Sequence, residues 1–306
     1  MTVATERPFA STPRLVELEI TRACQLTCTH CLSSSHPGAS HGEMMLTDWT
    51  NAIISAHDLG AETIQLIGGE PTVSPYWTRL LEYALDLGLE VQLYSNLYNI
   101  TERAWTLLAR PGVTLATSYY SDVAAEHDQI TRKAGSYART RANIVKALEL
   151  GISVQVGIVR IIPGQRADEA KAELVELGVL EPLITVDKVR PVGRANPRAG
   201  ADAPAAELCG RCGDGRLAIL PDGTVAPCVL GRALRAGNLL EKGTTLASVL
   251  RGAAWDEHMR RIPRAEKDPC TPAQNDGSDC TPASTPACAP AYSTPPPVPP
   301  DRKSVV

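Results

Sequence analysis

Three cysteines, Cys24, Cys28 and Cys31, fall within the eight residues CQLTCTHC, directly after the apolar run LVELEI. An odd number cannot close as disulfides, and in a reducing compartment thiols at close spacing serve metals or catalysis. A four-iron cubane otherwise takes four cysteines, so three thiolates leave one iron uncovered and able to chelate the amino and carboxylate groups of a ligand. The competing reading is structural: spaced four and three apart, the side chains would share one face of a helix as a buried stripe. Six more follow: Cys209, Cys212, Cys228, Cys270, Cys280 and Cys288. Cys209 and Cys212 form a C-x2-C pair of a type that also binds zinc.

The elements that must position these thiols alternate. Apolar, β-rich runs at 15–20, 63–67, 90–95, 113–118, 153–162 and 183–189 are separated by helical stretches, the pattern of βα units on a parallel sheet. Thr47 or Asp48 can cap one helix and Thr101 another, and Gly60, Gly88, Gly151 and Gly178 stand where helices end. Six such units are too few for an eight-stranded barrel and predict a partial, open α/β barrel. Past residue 193 the texture turns to Gly, Pro and Ala, then RLAILPDGTVAPC reads as two short strands about a Pro-Asp-Gly turn, with short helices near 245–251 and 254–261. The expected division is an arm at 1–14, a barrel at 15–192, a small Cys-rich C-terminal extension at 193–290, and a Pro-rich tail at 291–306 that is disordered or extended.

Composition narrows the class. With 30 basic and 34 acidic residues the net charge is −4, and no basic excess exists to neutralise phosphates, so nucleic acid and anionic membrane surfaces are not expected partners. No apolar stretch is long enough to span a bilayer, and MTVATERPFASTPR lacks a signal core, so a cytoplasmic protein is expected.

The C-x3-C-x2-C spacing after a first strand resembles the signature of the radical S-adenosylmethionine (SAM) superfamily, whose fold is a partial (βα)6 barrel. IGGEP at 67–71, ending the second strand, resembles the motif that meets the SAM amino group, which maps onto Gly68, Gly69 and Glu70. At later strand ends Ser95, Asn96, Ser118 and Asp122 offer groups suited to a ribose or a methionine carboxylate, and Arg160 could pair with that carboxylate. His30 stands where the family commonly has an aromatic that packs on adenine, and VRPVGRA at 189–195 resembles its sixth-strand region. Cys212, Gly223 and Cys228 resemble the opening of the SPASM extension, which carries auxiliary clusters; its second half is unmatched, since Cys270, Cys280 and Cys288 stand at wider intervals. The resemblance therefore implies a SAM-binding [4Fe-4S] cluster on Cys24, Cys28 and Cys31, SAM itself, and one auxiliary [4Fe-4S] cluster. Cys212 and Cys228 are its first candidates, with Cys209, Cys270 and Cys280 competing for the remaining positions. A structural zinc site is the alternative there.

In the family a reduced cluster cleaves SAM to methionine and a 5'-deoxyadenosyl radical, which takes a hydrogen atom from an unactivated C-H bond. Thiols left over from the auxiliary site suit a hydrogen donor, at most one of Cys270, Cys280 and Cys288, and so favour redox-neutral epimerisation. Only 14 residues precede the first strand, which leads to the expectation of a small natural product in place of a peptide: an aminoglycoside, as in enzymes of the neomycin C epimerase type. The alternatives are a maturase acting on a ribosomally made precursor peptide by cross-linking or epimerisation, a radical SAM dehydrogenase, and a non-enzymatic iron–sulfur or zinc module. An external electron donor of the flavodoxin or ferredoxin type is the other expected partner.

Overall fold

A computed structural model describes residues 12–197, 205, 208 and 210–263. Cys209, Cys270, Cys280, Cys288 and the Pro-rich tail lie outside the described residues. The six expected strands form as β1 (Leu15–Glu19), β2 (Thr63–Ile67), β3 (Glu90–Tyr94), β4 (Val113–Ser118), β5 (Val154–Arg160) and β6 (Ile184–Lys188), each parallel to its neighbour in chain order. Between them run α1 (Leu46–Asp58), α2 (Trp77–Asp86), α3 (Glu102–Leu108), α4 (Ala124–Thr131), α5 (Ser136–Glu149) and α6 (Ala167–Glu176).

Local chemistry explains most of the boundaries. Thr101 caps α3 by accepting from the Ala104 N–H at 3.2 Å. At α1 the cap is Met45, two residues before the expected Thr47, and Asp48 reaches back to accept from the Met45 N–H at 2.8 Å. Gly60, Gly88, Gly151 and Gly178 all take positive φ just past a helix end.

The strands are two-faced. Val16, Leu18, Ile64, Leu66, Val91, Leu93, Leu115, Val154 and Val156 are fully buried beneath the helices, with Trp49, Ile53, Leu80, Leu81, Leu108 and Ile144. Each such aliphatic contributes about 1.5–3 kcal/mol on burial. The alternate positions carry Glu17, Gln65 and Gln92 in register across β1, β2 and β3. There Gln65 Nε2 donates to Gln92 Oε1, and Gln92 Nε2 to Gln155 Oε1 at 3.0 Å. The inner face of the curved sheet is thus polar, which a strand with both faces buried in a core would not tolerate.

The C-terminal region does not stand apart from this sheet. β7 (Arg216–Ile219) pairs parallel with β1, Leu15 opposite Arg216, and turns through Pro-Asp-Gly into β8 (Thr224–Ala226) and β9 (Gly237–Asn238). Among the described residues the result is one nine-stranded sheet whose edges are β6 and β9, an open barrel. α7 (Leu246–Leu250) and α8 (Ala253–Arg261) follow, with Trp255 and Met259 buried in the common core.

Candidate active site

The loop after β1 carries the cysteine triplet, and its backbone is tied down on three sides. Gly69 N–H donates to Thr21 O at 2.9 Å and Glu70 N–H to Ala23 O at 2.8 Å, so the chain leaving β2 runs alongside residues 21–23. The approach is so close that a Cβ on Gly69 would sit 2.2 Å from Ala23 O, and one on Gly68 2.5 Å from Thr21 O. On the second side, Thr27 and Thr29 N–H donate to Thr131 and Ile130 carbonyls at the end of α4. On the third, the 3-10 turn Gly193–Ala195 closes over the loop. Arg194 N–H donates to Cys31 O at 3.0 Å, Nε to Cys28 O at 2.7 Å, and Nη1 to Ser35 O at 2.8 Å. Gly193 has φ +59°, and a Cβ there would meet Cys31 O at 2.2 Å.

All three cysteines line one cavity of about 300 Å3 at the C-terminal ends of the strands, together with Gly68, Gly69, Asn96 and Ser118. The helical-stripe reading fails, because residues 21–45 form an irregular loop with no helix. Donors converge on the sulfurs: Leu26 N–H to Cys24 Sγ at 3.4 Å, Asn96 Nδ2 to Cys24 Sγ at 3.6 Å, and Ser35 N–H to Cys31 Sγ at 3.4 Å. Burial pushes the Cys24 and Cys28 thiols up to about 12. Left as thiols they stay protonated, so binding as thiolates to a metal centre must release protons. Among the described residues no three His, Cys, Asp or Glu side chains are grouped to hold a single metal ion. The three thiols instead line the wall of a cavity. An all-thiol donor set with N–H groups aimed at sulfur fits an iron–sulfur cluster.

The remaining sequence candidates divide. Glu70 does not face the cavity: fully buried, it accepts from Thr72 N–H (3.1 Å), Thr72 Oγ1 (2.7 Å), Ser95 Oγ (2.8 Å) and Asn96 N–H (2.8 Å). Burial raises its pKa while those four donors lower it. Its role in this geometry is to lock the end of β3 to the end of β2, and Ser95 serves the same lock. Asn96 and Ser118 do reach the cavity. Asp122 and Arg160 do not: Asp122 holds Arg166 by two bonds of 2.7 Å, and Arg160, 42% exposed, pairs with Asp168 at 2.7 Å. Neither residue lines the cavity, and each is held by a partner at the start of α6 or just before it. His30 lines the cavity, edge-on to Tyr120 at 5.0 Å, and burial lowers its pKa to about 4, leaving a neutral planar surface.

Cys212 and Cys228, flanking the β7–β8 hairpin, are buried, with sulfurs 2.9 Å apart. Cys228 also lines the cavity, so the two cysteine regions meet across its wall. Sequence reasoning missed the rest of this wall. The cations facing the cavity are Lys188, Arg190, Arg194 and Arg216, against the acids Glu17 and Asp187. Glu17 is occupied by the Val229 N–H at 2.9 Å and by Arg216 at 3.9 Å, and Asp187 by Arg190 at 3.3 Å. For Glu17, Gln65 and Tyr94 the signal was present in the strands LVELE, TIQLI and EVQLY, where polar residues interrupt the apolar run; the four cations lie outside those strands.

A family model described as the radical SAM superfamily matches residues 18–177, more than half of the chain. The chain belongs to the radical SAM superfamily. A second model, SPASM, an iron–sulfur cluster-binding domain, matches residues 209–281. Membership implies a [4Fe-4S] cluster with SAM, and the SPASM match implies auxiliary iron–sulfur. The AdoMet-dependent heme synthase of Methanosarcina barkeri is 31% identical over 137 residues, 44% of this chain and 39% of its own. Mycofactocin maturase MftC of Mycobacterium tuberculosis is 29% identical over 185 residues, 60% of this chain and 46% of its own. The PqqA peptide cyclase of Rhizobium meliloti is 28% identical over 148 residues, 48% and 40% of the two chains. This radical SAM chain thus matches less than half the length of each of the three relatives. Streptococcus suis SuiB bound to the precursor peptide SuiA shares the fold, with a TM-score of 0.67 at 15% identity over 86% of this chain and 70% of that one. Among the described residues no helix is long and apolar enough to cross a membrane.

Proposed function

We propose that this chain is a radical SAM/SPASM maturase whose substrate is a precursor peptide. The observation that carries the proposal is the sequence likeness to two enzymes named for peptide modification, MftC and the PqqA cyclase. The cavity wall agrees with it. Gln65, Tyr94, Ser118 and Thr185 give the wall an uncharged polar lining of the kind that pairs with peptide groups, with Gln65 bonded to Gln92 and Tyr94 to Ser118 in this structure. The same wall counts against the aminoglycoside: four cations face two acids that are already engaged, a poor match for a polycationic sugar. Redox-neutral epimerisation therefore loses its main substrate argument, and its candidate donors Cys270, Cys280 and Cys288 remain proposals.

Cys24, Cys28 and Cys31 would hold the SAM-binding cluster, and Cys212 with Cys228 would contribute to the auxiliary one. When bound, cluster and SAM supply a radical able to take a hydrogen atom from an unactivated C-H bond. The protein's share is positioning. The Gly68–Gly69 backbone, Asn96 and Ser118 border the space beside the thiols, and His30 offers a planar face to a base. Lys188, without an ion-pair partner among the described residues, replaces Arg160 as the cation available to a carboxylate.

The test uses anaerobically reconstituted protein with SAM, dithionite and a precursor peptide encoded beside its gene. The expected result is 5'-deoxyadenosine formation that depends on Cys24, Cys28 and Cys31, together with a mass change or deuterium uptake in the peptide. A product two mass units lighter marks oxidation, and one deuterium from D2O at unchanged oxidation level marks epimerisation. An intact peptide alongside turnover of an aminoglycoside would overturn the proposal.

A further inference from the structure

A second groove, of about 780 Å3, opens beside α2 and α3 and the loop after β3, on a flank separate from the thiol-lined cavity. Gln25, next in sequence to Cys24, forms part of its wall with Trp77, Tyr98, Arg103 and Arg110. Tyr98 N–H donates to Asn96 Oδ1 at 2.8 Å, Gln25 Nε2 donates to the same oxygen at 3.3 Å, and Asn96 Nδ2 reaches Cys24 Sγ at 3.6 Å. Two hydrogen bonds and one amide side chain therefore separate the rim of the groove from a sulfur of the triplet. Gln25 Oε1 is buried without a partner.

The rim is cationic. The Arg139 guanidinium lies over the Tyr98 ring at 4.7 Å and Lys133 Nζ at 5.5 Å. Arg103, Lys133 and Arg139 have no ion-pair partner among the described residues, and neither does Arg132, exposed in the same stretch. Glu82 is the acid in the groove wall, and Arg110 lies 3.9 Å from Asp86. In a chain of net charge −4 this is a local excess of the opposite sign.

We propose that this groove and its Tyr98 rim are the docking surface for an acidic one-electron carrier protein that reduces the cluster. The inference rests on the radical SAM reading of the triplet. With cofactor and substrate bound, the first cavity would be filled when the electron must arrive, so the electron would enter from another side, and transfer needs the carrier close to the cluster. One electron leaves the carrier's flavin or iron–sulfur centre, which is oxidised by one unit, and the cluster is reduced by one unit; no bond to the protein forms or breaks. An acidic face meeting Arg103, Lys133 and Arg139 would speed encounter and make it salt-dependent.

The experiment compares the holoenzyme with its Arg103→Glu/Lys133→Glu/Arg139→Glu variant, using an acidic bacterial flavodoxin with its reductase, or dithionite, as reductant. Flavodoxin binding is measured by titration calorimetry, and cluster reduction by anaerobic bleaching of its visible absorbance. Binding and flavodoxin-driven reduction are expected to fall at least tenfold and wild-type binding to weaken with salt, while dithionite-driven reduction stays unchanged. Equal flavodoxin rates in variant and wild type overturn the proposal, as does an equal loss under both reductants in the milder Lys133→Gln/Arg139→Gln variant at unchanged iron content. Absence of 5'-deoxyadenosine from wild type with dithionite would instead refute the radical SAM reading, and the binding measurement stands apart from it.

Discussion

Arg194 is the residue through which the end of the barrel holds the cysteine loop, and its removal has a calculable cost. Its Nε and Nη1 make bonds of 2.7 and 2.8 Å to the carbonyls of Cys28 and Ser35, 166 and 159 residues away in sequence. Hydrogen bonds from a charged donor are worth about 1.5–3 kcal/mol each. Arg194→Met leaves both carbonyls without that donor, and with partial rehydration the loop should lose about 2–4 kcal/mol of ordering. At about 1.4 kcal/mol per tenfold, that opens the loop roughly 30- to 700-fold more often. The assay is the rate at which an anaerobic iron chelator strips the reconstituted protein, alongside the thermal midpoint of the same sample. Stripping should accelerate by that factor, and Arg194→Lys should fall between, because one ammonium group cannot reproduce the fork. Wild-type stripping rates at a lowered thermal midpoint would refute the reasoning and make Arg194 an ordinary packing residue.

Gly69→Ala should lower stability by about 2 kcal/mol or more in thermal unfolding, because its Cβ would meet backbone at 2.2 Å that cannot give way, whereas Gly88→Ala, with open space around it, should cost about 1 kcal/mol. Burial lowers the His127 pKa to about 4, so between pH 6.5 and 4 the unfolded chain binds a proton that the folded one does not, and stability falls as pH falls through that window. His127→Gln should remove up to about 3 kcal/mol of that acid dependence in denaturant titrations at pH 7 and pH 4.5. His30, with the same sign, should supply part of the slope that remains, with Asp122, Asp128 and Asp222, whose lowered pKa values act in the same direction towards lower pH. Lys188→Met should weaken SAM or peptide binding about tenfold by calorimetry while Arg160→Met leaves it unchanged, since only Lys188 faces the cavity.

The strands and helix stops were legible because they depend on residues a few positions apart: alternation in LVELE and EVQLY, a threonine at 101, glycines at 60 and 88. The place of the triplet was legible for a related reason, since its loop follows the first strand. The hydrogen-bond partners of Glu70 were not legible. A carboxylate beside two glycines reads as a ligand contact, and only the neighbouring strand end supplies the four donors that turn it inward. Asp122, in the loop after β4, and Arg160, at the end of β5, were read as ligand groups, and the partners that engage them, Arg166 and Asp168, come from the α6 side of the chain.

The amino-acid sequence by itself determined which segments become strands, where helices stop, and that three thiols sit in one loop after the first strand. Tertiary structure alone decided what that loop leans on: β7 added to the edge of β1, Cys228 placed in the same wall as Cys24, and Arg194 folded back onto Cys28. Local pattern is read over a turn or two of chain. Contacts across more than 150 residues cost chain entropy that no single motif repays, and they form only where the packing of the whole sheet and its helices makes them the favourable arrangement.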